Sequence, residues 1–85
     1  MKKIDAMVKV QELKKAMEKF EGWASRDLEK MNTIEEKIAD TEITLTKKKE
    51  LAKIYNDVEK NYRRNIKAYA KNCKKWKALK RKFAI

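Results

Sequence analysis

Residues 51–83 read LAKIYNDVEKNYRRNIKAYAKNCKKWKALKRKF, and this stretch decides the fold. Its aromatic side chains recur every seven residues, at Tyr55, Tyr62, Tyr69, Trp76 and Phe83. Other apolar residues fill the intervals, so that the series advances in steps of three and four along one face of a helix. The stretch therefore predicts one amphipathic helix over about 47–83.

A matching apolar stripe runs through the first half of the chain, where Asp27 interrupts it. The three-and-four spacing predicts a second amphipathic helix over about 2–40, with a coiled-coil-like face. Together the two stripes predict a helix–helix seam made by Leu13, Met17, Phe20, Met31, Ile34, Ile38, Tyr55, Tyr62, Ile66, Tyr69, Cys73, Trp76 and Phe83.

The composition favours an all-α class and a single domain over 1–85. The 85 residues include no Pro, one Gly and no His, and 44% of them are charged. Strands have little to build on, whereas the Lys, Glu, Ala, Leu and Met content favours helix over nearly the whole length. So many charged side chains leave few for a core, and a deep core within one chain is not expected.

The two predicted helices are joined at about 41–46, where three Thr and one Ile give the lowest helix propensity in the chain. A turn there makes an antiparallel helical hairpin. Because two helices share one narrow seam, we expect the hairpin to dimerise into a bundle. Two alternatives stay open: a three-helix arrangement with a break near 22–25, at Gly22, and a single long helix in a parallel dimer.

Asp27 lies in phase with the apolar stripe, where an unpaired carboxylate is costly. In a hairpin it would lie level with Lys60, which could pair with it and fix the register. If the helix instead breaks at Gly22, Asp27 falls in the first turn of a new helix, where the helix dipole favours it. The sequence leaves both readings open.

Charge is divided unevenly along the chain. Up to Glu59 there are 13 basic and 13 acidic residues, whereas from Lys60 onward there are 11 basic residues and no acidic one. The net charge of +11 therefore belongs to the last 26 residues. On a helical wheel most of these cations lie opposite the apolar stripe. They predict a basic face for an anionic partner, formed by Lys60, Arg63, Arg64, Lys67, Lys71, Lys74, Lys75, Arg81 and Lys82.

This basic face favours nucleic-acid binding, to DNA or RNA, through sequence-tolerant phosphate contacts. No helix-turn-helix pattern, zinc knuckle or RNA-recognition motif indicates base readout. The alternative is a protein-interaction module, an adaptor or inhibitor of the kind that mobile elements encode, docking on an acidic protein or a nucleic-acid-processing enzyme. A membrane surface ranks third, because the apolar stripe has a partner stripe within the chain.

Catalysis and metal binding are not expected. There is no His and only one Ser, so no catalytic or metal-ligating set can be assembled, and we expect neither an enzyme nor a cofactor. No long apolar run or secretory leader is present, which predicts an intracellular, cytoplasmic protein. The lone Cys73 agrees with a reducing compartment and is interpreted as a seam residue.

Overall fold

The computed structural model describes residues 1–85 and contains two helices, α1 over Lys3–Ala39 and α2 over Leu45–Phe83, with no strand. The helices lie side by side along their whole length and form a rod with extents of 61 × 14 × 14 Å. The predicted all-α helical hairpin is confirmed. Neither helix combines the length and the apolar character that crossing a membrane requires.

The turn occupies residues 40–44 and is closed by local side-chain hydrogen bonds. Asp40 Oδ1 accepts a hydrogen bond of 3.0 Å from the backbone N–H of Glu42, which turns the chain away from α1. Thr44 Oγ1 then accepts one of 3.3 Å from the N–H of Lys47 and caps α2. Because of this cap, α2 begins at Leu45, two residues before the predicted start.

Helix α1 continues through Gly22 without a break. The three-helix arrangement is therefore wrong, and so is the single long helix, since the chain reverses at 40–44. Gly in a helix interior costs only about 1 kcal/mol. Met17 and Ala24, on either side of Gly22, are buried in the seam, and their burial outweighs that cost.

The seam follows a seven-residue repeat in both helices. Helix α1 buries Ala6, Val10, Leu13, Met17, Ala24, Met31 and Ile34, whereas α2 buries only Leu51. The five aromatic residues of α2 are half-buried, because one facing helix cannot cover such large side chains. Phe20, Ile38 and Cys73 are half-buried as well.

Ile66 does not lie in the seam, contrary to the prediction, and is 41% exposed. The half-buried neighbour Asn65 takes that position, in one column with Leu51 and Val58. Leu51, Val58 and Asn65 keep the seven-residue spacing, and Ile66 lies one residue outside it; the prediction chose Ile66 because it is the apolar one of the two neighbours.

Asp27 pairs with Asn65 and not with Lys60, and α1 has no new start at Gly22, so neither of the two readings left open for Asp27 is correct. Asn65 Nδ2 donates a hydrogen bond of 2.9 Å to Asp27 Oδ2, in a part-buried position between the helices. Lys60 is exposed and makes no ion pair. A neutral amide costs less to desolvate than an ammonium group and still satisfies the carboxylate.

Candidate functional site

The cations of α2 form a regular column on the side opposite the seam. Lys53, Lys60, Lys67, Lys74 and Arg81 recur every seven residues, and all five are exposed. Residues seven apart share one face of a helix in a 3.5-residue repeat, at a separation of about 10.5 Å along the axis. We call these five residues the outer column.

The clefts between the helices distinguish the two sides of the hairpin. On one side Arg26 and Lys30 line two adjacent clefts, together with Asn61 and Arg64 in the first and Ile54 in the second. On the other side one cleft is lined by residues that include Leu28, Tyr62 and Ile66, and a second by residues that include Glu35 and Tyr55. No residue is shared between the two sides, so each side is a separate surface.

The net charge of each side can be counted from the residues that line its clefts, together with those that lie seven, fourteen or more residues from them on the same face of each helix, between its seam residues and its outermost residues. The side of Arg26 and Arg64, here the cationic side, carries ten basic and six acidic residues, which is a net +4. The basic residues are Lys9, Lys19, Arg26, Lys30, Lys37, Lys47, Arg64, Lys71, Lys75 and Lys82, and the acidic ones are Asp5, Glu12, Asp27, Glu29, Glu50 and Asp57.

The side of Leu28 and Ile66, here the balanced side, carries five basic and four acidic residues, which is a net +1. The basic residues are Lys14, Lys49, Arg63, Lys77 and Lys80, and the acidic ones are Glu18, Glu21, Glu35 and Glu59. The outer column and the cationic side together account for most of the net positive charge, and they adjoin each other around α2. This continuous basic surface is the candidate functional site.

Eight of the nine predicted basic-face residues belong to this surface. Lys60, Lys67, Lys74 and Arg81 lie in the outer column, and Arg64, Lys71, Lys75 and Lys82 lie on the cationic side. Arg63 is the exception, because it lies on the balanced side, where its Nη2 makes an ion pair of 2.8 Å with Glu59 Oε1. It is the one predicted residue whose charge is neutralised within the chain.

Sequence reasoning missed the contribution of α1. Arg26 and Lys30 lie across a cleft from Arg64, so the basic surface extends over both helices. Counted along the chain, these cations are cancelled by neighbouring carboxylates. Part of this cancellation is lost in the fold, because Glu21 and Glu35 line clefts on the balanced side, whereas only Asp27 and Glu29 line the clefts of the cationic side. Sorting the first half into heptad columns would have revealed this separation.

Few of the cations are paired with acids. The hairpin has three ion pairs, Lys9–Glu12, Lys47–Glu50 and Arg63–Glu59, and no residue of the outer column takes part in any of them. Like charges at this density repel one another and lower the stability of the folded chain. Two of the pairs, Lys9–Glu12 and Lys47–Glu50, lie on the cationic side, and the other cations of the basic surface make no ion pair. The basic surface is therefore largely unneutralised and internally repulsive.

No family model, curated protein or solved structure matches this chain. Function is therefore inferred from the basic surface itself. No group of three or more Cys, Asp or Glu side chains is placed to hold a metal ion. What the surface offers is an extended array of ammonium and guanidinium groups, whose chemistry is the binding of anions.

Proposed function

We propose that this protein binds nucleic acid without catalysis and without sequence preference, through phosphate contacts along its basic surface. The observation that carries the proposal is the segregation of charge: the cationic side and the outer column hold most of the excess positive charge, whereas the balanced side is close to neutral. A solvated helix surface normally mixes both signs, as the balanced side does.

The shape of the surface suits a polyanion. From Lys60 to Lys82 the cations extend along about 33 Å of helix, at ~1.5 Å per residue. About ten phosphates of one strand cover that distance, at ~3.4 Å each. A linear array of this kind can contact several phosphates at once, and their charge would relieve the repulsion among the cations.

Salt dependence tests the proposal. With an oligonucleotide of about 20 residues, which matches the 61 Å rod, log K should fall with log salt at a slope near −5 if about six phosphates are contacted. Fluorescence anisotropy between about 50 and 200 mM salt measures the slope. Affinity that stays flat over that range would contradict phosphate binding.

Charge reversal locates the surface. The triple variant Lys60→Glu, Lys67→Glu, Lys74→Glu should weaken binding at least tenfold and reduce the slope by about 3, since each lysine is expected to contact one phosphate. The matched control is Lys14→Glu, Lys15→Glu, Lys49→Glu, which changes the net charge equally but away from the basic surface. Equal losses in both variants would show that only net charge matters and would reject the site.

A basic surface of this kind is also complementary to an acidic protein, which is the alternative partner. Capture of a protein that survives nuclease treatment and is lost in the outer-column variant would favour that alternative. In either case the same residues would make the contact, and the charge of the partner would speed association.

The proposal includes a dimer that forms through the balanced side. The hairpin exposes 6,893 Å², whereas a compact monomer of 10.2 kDa exposes about 5,300 Å². The surplus of about 1,600 Å² is twice what one partner contributes to a standard interface. The apolar side chains available there include Met7, Leu28 and Ile66, which are 45%, 43% and 41% exposed.

Charge complementarity supports a second copy as the proposed occupant of the balanced side. On α1 this side carries one basic and three acidic residues, and on α2 it carries four basic residues and one acidic. Two copies related by a two-fold axis would place the acidic flank of each α1 against the basic flank of the partner's α2. The resulting four-helix bundle leaves both cationic sides facing outward.

A further inference from the structure

The first cleft on the cationic side contains the one aromatic side chain that the hairpin leaves exposed. Trp23 is 40% exposed, whereas the other six aromatic residues are half-buried. The cleft measures about 410 Å³, and its lining also includes Arg26, Lys30 and Arg64. Lysine ammonium groups also lie over the seam aromatics Trp76 and Phe83, at 4.4 and 5.6 Å, but those rings are half-buried, so Trp23 is the one ring that is both exposed and placed among cations.

The Trp23 ring is held in place by its neighbours. Phe20 packs against it edge-to-face, with 5.6 Å between the ring centroids and 80° between the planes. Lys19 Nζ lies 4.6 Å from the centroid of the Trp23 ring and adds another cation. A ring fixed in this way loses little conformational freedom when a second flat group stacks on it.

The cations of the cleft are free to bind an external anion. Arg26, Lys30 and Arg64 take part in none of the three ion pairs of the hairpin. Asp27 is the one carboxylate in the lining, and its Oδ2 already accepts the hydrogen bond from Asn65. The cleft therefore has a net charge of +2 and matches a ligand that combines a flat ring with negative charge.

We propose that this cleft binds an unpaired nucleobase of a single strand, with the base stacked on Trp23 and the flanking phosphates held by Arg26, Lys30 and Arg64. Stacking platforms among cations are how sequence-tolerant proteins hold single strands, since every base has a π-face. This inference rests on the proposed nucleic-acid binding and adds a preference for single strands over duplexes, whose bases are already stacked.

A single-tryptophan variant gives the direct readout. Trp76→Phe removes the other indole and should be tolerated, because the buried Trp76 Nε1 has no hydrogen-bond partner. In that background, titration with an oligothymidylate should quench the fluorescence of Trp23, and titration with a duplex of equal length should quench it little. Equal quenching by both would overturn the stacking site.

Truncation of the ring tests its energetic role. Trp23→Ala should weaken binding of the single strand by roughly 5- to 150-fold and of the duplex by less than about twofold, since base stacking on an aromatic ring is lost only from the former. Trp23→Phe should retain part of the affinity. The control is Val8→Ala, which removes an exposed apolar side chain of α1, 53% against 40%, that belongs to neither the cationic nor the balanced side.

The outcomes separate this inference from the proposed function. If both nucleic acids bind and Trp23→Ala weakens them equally or not at all, the stacking site is wrong and phosphate binding stands. If neither binds at about 50 mM salt, both are overturned, because such contacts are strongest at low salt. Circular dichroism of each variant confirms that the helices are intact.

Discussion

Asn65 Nδ2 donates a hydrogen bond of 2.9 Å to Asp27 Oδ2, and this bond joins the two helices across their seam. On α1, Asp27 lies between the buried side chains of Ala24 and Met31. A polar pair at this point penalises any slip of one helix along the other, because a slip would leave both groups among apolar side chains without a partner. The pair therefore helps to specify the register of the hairpin.

The first prediction concerns this pair. Asn65→Leu leaves the Asp27 carboxylate without its donor and should lower the free energy of unfolding by about 1.5 to 3 kcal/mol. The double variant Asp27→Leu, Asn65→Leu should recover that loss or exceed the parent in stability, since apolar replacement of a buried polar pair is often stabilising. Urea denaturation of the parent, both single variants and the double variant gives the coupling energy.

Additive effects of the two substitutions, within about 0.5 kcal/mol, would mean that the hydrogen bond contributes nothing to stability. Stability is only half of the test, because the pair is also expected to fix the register. The double variant should therefore populate more than one oligomeric state or register. If the double variant forms a single species, as uniform as the parent, the Asp27–Asn65 pair has no role in specifying the register or the oligomeric state.

The second prediction concerns pH. Tyr55 donates a hydrogen bond of 2.9 Å from its hydroxyl to Glu35 Oε1, and this bond is the main reason that the pKa of Tyr55 is raised above its ordinary value of 10.0. Desolvation and the negative charges of Glu35 and Glu59 act in the same direction, while Arg63 opposes them.

Because the pKa of Tyr55 is higher in the folded than in the unfolded chain, its contribution to stability is fully present below pH 10 and is lost as the pH rises through the folded-state value. Glu35→Gln removes the negative charge and should bring the pKa of Tyr55 down toward 10.0. Titration of the Tyr55 ring carbons by NMR measures it in both proteins. An unchanged pKa in the variant would contradict the assigned cause.

The third prediction concerns Gly22 of α1, which is exposed, with open space around the position that a Cβ would occupy. Gly22→Ala should raise the free energy of unfolding by about 0.5 to 1 kcal/mol, since Ala loses less backbone entropy in a helix. Thermal and urea denaturation measure the change. Ser25→Ala, at another exposed position of the same helix, should give a smaller gain, and a loss of stability in Gly22→Ala would indicate an unseen contact at this face.

The hairpin was predictable because its signals are local and repeated. Apolar residues at three-and-four spacing fix both helices, and the polar cluster from Asp40 to Thr44 supplies the turn and the cap. The residues of the seam were harder to predict, because Asn65 and Ile66 are neighbours in the sequence and only one of them can face the other helix. Hydropathy alone selects Ile66, and only the partner Asp27 on the other helix makes Asn65 the better seam residue.

The basic face of α2 was also predictable, since eleven cations without a carboxylate leave no ambiguity of sign. The contribution of Arg26, Lys30 and Trp23 was not. The charges of Arg26 and Lys30 are cancelled in any count along α1, and all three side chains join Arg64 only because the turn brings the two helices side by side. The rotation of each helix about its own axis decides which of its residues share a surface with the other helix. A count of charges along the chain gives no information on that rotation.

The fourth prediction concerns the dimer. Leu28 and Ile66 line one cleft of the balanced side, so Leu28→Glu with Ile66→Glu should place repelling charges at the centre of the interface and give a monomer of about 10.2 kDa by light scattering. The control is Ile54→Glu, a 51% exposed residue of the cationic side, which should stay dimeric. A parent protein that is monomeric at micromolar concentration, or an Ile54 variant that dissociates as readily, would contradict this interface.

Because each copy carries its own basic surface, the monomeric variant should bind a short oligonucleotide as the parent does, and should lose affinity only for strands long enough to reach both cationic sides.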